Sequence, residues 1–148
     1  MTSAEKYSYW ALLADYDIET AHVLIEGKRW VYVAYMCHQC LERQLKGMLV
    51  YYSDKEPPKT HNLAFLFDKL RKLPHFPENG GLTEESGNAL EDFFTEITFY
   101  YVSDYPFSYK HLTNRFIDED TGRRLYREVS RCLTMLRSLQ ALPEKPEL

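Results

Sequence analysis

The sequence predicts an all-α protein, an antiparallel up-and-down bundle of four to five helices, and three observations carry that expectation. Apolar residues recur at the helical spacing over long stretches. The seven prolines and six glycines cluster at a few points between those stretches. No alternating apolar–polar run stands clear of the helical patterns. The connections are short, which makes successive helices antiparallel neighbours. A chain of 148 residues is about one domain's worth. We expect a single domain over residues 1–148, with a core over about 4–142 and a short flexible tail, 143–148.

The first helix is expected over residues 4–26. Trp10, Leu13, Asp17, Ala21 and Leu24 fall on one side, and Gly27 is the expected C-cap. A second follows over about 30–53. Val33, Ala34, Cys37, Leu41, Leu45, Met48 and Leu49 form its stripe, widened by Tyr32, Tyr35 and Met36, as for a central helix. Pro57-Pro58 follows its end. A shorter helix over 62–72 aligns Leu63, Leu66, Leu70 and Leu73. Residues 74–82 read as loop. Thr83 caps a fourth helix with Glu84 and Glu85 in its first turn, favourable for the helix dipole. Leu90, Phe93, Phe94, Ile97 and Tyr101 share its face, and it stops near Ser103 to Pro106. Residues 107–117 fit no element clearly. Asp120 or Thr121 caps a last helix to about Leu142, with Leu125, Val129, Cys132, Leu133, Leu136 and Leu139 as its core stripe.

Composition narrows the function. Apolar residues make up 45% and charged ones 27%, which excludes a disordered chain. Acids outnumber bases 22 to 18, which argues against a general polyanion binder but leaves room for a local basic patch. Three cysteines suit a reduced compartment. The N-terminus lacks an apolar signal core, and no apolar run approaches the ~20 residues of a membrane span. A cytoplasmic location is the resulting expectation.

Several motifs carry both a chemical and a plainer reading. Cys37-His38-Gln39-Cys40 has CxxC spacing, but a structural zinc needs four ligands and a thioredoxin-like site needs a βαβ context, so burial in the core is expected. Glu19-Thr20-Ala21-His22 is half of a di-iron ligand set, and a solvated face is expected instead. No metal and no cofactor is expected. His38, Glu42 and Lys46 lie one turn apart and read as a stabilising polar ladder along one edge of the second helix, or as a hold on a neighbouring loop. Arg123, Arg127 and Arg131 recur every four residues, with Arg124 and Arg137 nearby: a solvated face, or a contact for RNA phosphates or an acidic partner. The stretch from Phe99 to His111 is rich in tyrosines and ends in Lys110 and His111, which suits stacking and charge against a nucleotide or RNA, or a dimer seam. No phosphate-binding glycine motif occurs.

In order and spacing, these residues resemble one family. Trp10, Asp17 and Ala21 come first. His38-Gln39, Glu42 and Lys46-Gly47 follow, then Pro57-Pro58-Lys59-Thr60-His61-Asn62-Leu63, then Tyr100-Tyr101 and Tyr105-Pro106. Together they resemble the HEPN domain family over nearly the whole chain. The resemblance implies an antiparallel helical homodimer linked to nucleotides and RNA. Many such domains act with a minimal nucleotidyltransferase as a toxin–antitoxin pair. Catalytic members resemble metal-independent endoribonucleases carrying Arg-x4-6-His, where the histidine moves protons and the arginine stabilises the phosphorane.

Here Asp104 stands where an arginine is expected before Tyr105-Pro106, at x6 spacing from His111. A carboxylate opposes the phosphorane: like charges ~4 Å apart cost about 4 kcal/mol at an effective dielectric of 20. The resemblance therefore implies a nucleotide- or RNA-binding domain lacking the usual ribonuclease site. Tyr105, Tyr109, Lys110, His111 and Arg115 are expected to line the cleft. Lys110 and Arg115 would meet phosphate, and His111 would hydrogen-bond it. His38, Glu42, Lys46 and His61 are expected to tie the second helix to the loop before the third. The alternatives are an endoribonuclease toxin using His111 with another arginine, and a non-catalytic dimerisation scaffold.

Overall fold

The computed structural model describes residues 1–74, 76, 82–102, 117–139 and 142. Five helices, and no strand, occur among them: α1 (Ser3–Glu26), α2 (Trp30–Ser53), α3 (Leu63–Arg71), α4 (Glu84–Val102) and α5 (Glu119–Arg137). The predicted elements are all present. Contacts fix their directions. Tyr7, Trp10 and Asp17 of α1 meet Tyr51, Gly47 and Arg43 of α2 in reverse order. Phe67 of α3 meets Phe94 of α4, while Leu63 meets Thr98. Glu96 of α4 meets Arg124 of α5. Trp30 and Gln44 of α2 meet Gly122 and Arg137 of α5 in the same order. The four long helices thus run up, down, up, down, with short α3 beside α4.

Caps mark where the helices begin. Thr2 accepts from the Glu5 amide, Asn62 from Phe65, Thr83 from Ser86 and Asp118 from Thr121. The cap of α5 is Asp118, not Asp120 or Thr121, and Glu119 and Asp120 instead occupy the favourable first turn. The helix ends at Arg137, short of the expected end near Leu142. At the end of α1, Gly27 keeps a negative φ, and Lys28 takes the left-handed conformation at φ 56°. Residues 27–29 therefore reverse the chain into α2.

One hydrophobic cluster draws on all five helices. The stripes expected on α2 and α5 are buried, Val33 to Leu49 and Leu125 to Leu139. The side of α1 matches expectation in part. Asp17 and Ala21 are buried as expected, but Leu13 is exposed, Trp10 and Leu24 are only partly covered, and Tyr7, Ala11, Ala14 and Ile25 are buried instead. Small alanines let α1 lie close against α2, and at Gly47 the approach is closest. A Cβ there would sit 2.6 Å from the Trp10 Cβ. Gly122 meets the Trp30 ring of α2 in the same way, at 2.8 Å. Tyr32, expected to widen the α2 stripe, is exposed.

Candidate functional site

The strongest polar cluster in the interior lies where α2, the loop before α3 and the end of α4 meet. His38 is fully buried, and its Nε2 donates to the His61 backbone carbonyl at 2.8 Å. A carbonyl only accepts, so the proton is on Nε2 and Nδ1 carries a lone pair. That Nδ1 has no hydrogen-bond partner among the described residues and lies 3.9 Å from Glu42 Oε1. Glu42, also buried, accepts from His61 Nδ1 at 2.7 Å through Oε1 and from Lys46 Nζ at 2.9 Å through Oε2. The His61 side chain is 59% exposed, and Nδ1 is the nitrogen turned to the carboxylate. Tyr101, in the last turn of α4, stacks on His38 with centroids 4.0 Å apart. It also lies 5.0 Å from His61 and 4.9 Å from Tyr35.

The spacing predicts His38, Glu42 and Lys46 along an edge; the structure places them inside, because α4 closes over that side of α2. The i, i+4 pattern identifies the ladder but not its burial, nor Tyr101 as its cover. His61 and Glu42 are 19 residues apart, and only their shared place in the resemblance links them in the sequence. Burial holds the His38 ring far below its ordinary value, to about 4, despite the His61 carbonyl that favours its charge. The ring is therefore neutral.

A second buried acid sits on α1. Asp17 is 2% exposed and pairs with Arg43 at 3.1 Å. Burial pushes its carboxyl up to about 6, against the pull of Arg43 and with some push from Glu42. Its Oδ2 has no hydrogen-bond partner among the described residues.

Asp17 and His38 oppose each other in acid. Asp17 binds its proton more tightly folded than unfolded. Its contribution is complete below the ordinary value of 3.8 and is lost as pH rises through about 6. His38 binds its proton less tightly when folded. Its contribution is present above the ordinary value of 6.5 and is lost as pH falls towards about 4. Asp17→Asn removes only the first. Its unfolding free energy relative to wild type should rise by on the order of 1–3 kcal/mol between pH 4 and 6.5. Urea titrations of both proteins across that range measure the difference, and a flat difference contradicts the assignment.

The remaining motifs separate. Cys37, Cys40 and Cys132 are all buried free thiols, and burial raises each of them. No group of metal-ligating side chains occurs among the described residues. His22 lies exposed beside Glu26, as a solvated face requires. The basic stripe divides. Arg127 and Arg131 face solvent. Arg123 binds Glu119 and lies over the Trp30 ring, and Arg124 makes a two-pronged pair with Glu96. Arg137 turns inward, reaching Gln44, Asp15 and the Ala11 carbonyl, so it fastens α5 to α1 and α2. Tyr105, Tyr109, Lys110, His111 and Arg115, with Asp104, lie outside the described residues.

Known proteins share this arrangement of helices. The family model described as HEPN domain matches residues 7–139. A crystal structure of TT1696 from the bacterium Thermus thermophilus superposes with a TM-score of 0.71 at 15% identity, covering 90% of this chain and 97% of that one. At that identity the likeness concerns the fold. No curated protein matches the chain. No helix among the described residues is long and apolar enough to cross a membrane.

Proposed function

We propose a function from one premise: the chain belongs to the HEPN domain family. It acts as a nucleotide- or RNA-binding domain, pairs as a homodimer in the cytoplasm, and works with a partner such as a minimal nucleotidyltransferase in a toxin–antitoxin-type module. It lacks the Arg-x4-6-His ribonuclease site, because Asp104 occupies the arginine position relative to His111. Tyr105, Tyr109, Lys110, His111 and Arg115 form the binding surface.

One observation supports this reading above the others. Tyr101 is fixed by its ring contacts to His38 and His61, and the binding residues begin four positions later in the chain. A rigid polar cluster thus holds the end of the helix that leads into them. His38, Glu42, Lys46 and His61 serve the site by anchoring that end. Preorganisation of this kind lowers the entropy lost when a ligand is bound.

Fluorescence anisotropy with short RNA and with nucleotides at low salt tests the reading, since the phosphate contribution is strongest there. Binding weakened about fivefold or more by Lys110→Ala or Arg115→Ala is expected, as a charged contact to phosphate requires. No affinity at low salt would leave a dimerisation scaffold. Cleavage of RNA in the presence of chelator, abolished by His111→Ala, would establish the endoribonuclease instead. Light scattering reads the dimer.

A further inference from the structure

We propose that His61 is a phosphoryl acceptor, its Nε2 taking a phosphoryl group from a donor of the N-phosphoryl (phosphoramidate) class, whose P–N bond breaks. The proposal goes beyond the nucleotide-binding reading and does not depend on it.

An acceptor histidine needs an accessible nitrogen with its lone pair free, a fixed ring, and a counter-charge for the modified ring. His61 has all three. Its Nδ1 donates to Glu42 at 2.7 Å, so the lone pair of the neutral ring is on Nε2. The side chain is 59% exposed, open to a donor from outside the bundle. Its backbone is held by His38 at 2.8 Å, and Lys46 fixes the other oxygen of Glu42 at 2.9 Å. A carboxylate on one ring nitrogen fixes the orientation and tautomer of an imidazole.

His22 provides the contrast within the same chain. It is 58% exposed, so access alone does not separate the two. Yet its Nε2 is the atom turned towards Glu26, at 3.4 Å. That leaves Nδ1, the nitrogen crowded by the side chain's own branch. Glu26 is itself largely solvated and orients the ring weakly. His38 is buried and excluded.

The transfer balances without another reagent. The Nε2 lone pair attacks phosphorus and an Nε2–P bond forms. The bond from phosphorus to its leaving group breaks, and that group departs with the electron pair. The ring keeps its proton on Nδ1 and becomes cationic, and the Glu42 carboxylate beside that nitrogen offsets the new charge. With phosphoramidate as donor, the leaving group is ammonia.

Phosphoramidate treatment of the folded full-length protein, with peptide mapping of the acid-labile product, tests this. We expect His61 to be modified at Nε2 about tenfold or more faster than His22. Glu42→Gln should slow His61 by about tenfold without changing the rate at His22. Nitrogen-15 spectra of the wild-type ring, showing the proton on Nδ1, give a readout that survives if that variant folds poorly. Equal rates at His61 and His22, modification at Nδ1, or a proton on Nε2 would each overturn the proposal. RNA affinity is measured on the unmodified wild-type protein, so failure of the binding reading and failure of this proposal are read apart.

Discussion

Glu42→Ala should lower the unfolding free energy by about 3–5 kcal/mol, the range for removing one partner of a buried ion pair. The loss comes from what stays behind. Lys46 is buried and its ammonium has Glu42 as its hydrogen-bonded acid. His61 loses the acceptor for Nδ1, and of the two side-chain hydrogen bonds described between His61 and α2 only the one from His38 remains. The His61 ring beside Tyr101 loses the carboxylate that orders it, so the end of α4 loosens. Glu42→Gln removes the charge and keeps one acceptor oxygen, enough for His61 or Lys46 but not for both, since its amide nitrogen only donates; it should fall between the alanine variant and wild type. Urea midpoints of the three proteins settle the order. A loss under about 1 kcal/mol for the alanine variant would mean that Lys46 reaches water without cost, as an exposed pair would allow.

Gly47→Leu should be at least as damaging, at about 3 kcal/mol or more. A Cβ at this position already meets the Trp10 Cβ at 2.6 Å and the Tyr7 ring at 3.4 Å. The Trp10 Cβ is bonded to the α1 backbone, so it cannot swing aside as the end of a long side chain could. Relief requires the two helices to separate. Separation opens the alanine-lined contact and pulls at the Asp17–Arg43 pair and the Gln44–Tyr7 hydrogen bond. Gly47→Ala, which adds the Cβ alone, should cost about 1–3 kcal/mol. Thermal unfolding by circular dichroism reads both variants. An alanine variant as stable as wild type would show that α1 and α2 slide past each other freely.

The helices are legible because local signals agree: breakers between them, caps at their starts and apolar residues at the right period. The buried side of α1 is not. Large apolar residues dominate any count of hydrophobicity, and in α1 several point outward: Tyr9, Leu13, Tyr16 and Val23 are all exposed. The inner side is built largely from alanines, suited to the space between two close helices rather than to hydrophobicity. Arg137 shows the same limit. Its spacing from Arg123 suggests a basic face, yet it carries three internal hydrogen bonds to partners 93 to 126 positions away. The polar ladder is visible in the spacing as a ladder, but its place inside the bundle is not. Burial depends on which helix packs above a residue, and that is a tertiary property. Asp118 is hard to single out as a cap because Asp120 and Thr121 offer similar chemistry close by. The residues proposed to bind, from Tyr105 to Arg115, lie outside the described residues and are read from the sequence alone.

The turn at residues 27–29 has a thermodynamic consequence. Loop closure costs conformational entropy that grows with the length of chain between the contacts. Between α1 and α2 that length is only the residues from Gly27 to Arg29. The pair so joined ends at Ser53, so it is complete before α3, α4 and α5 follow in the chain. The later helices pack against the surface that this short connection brings together.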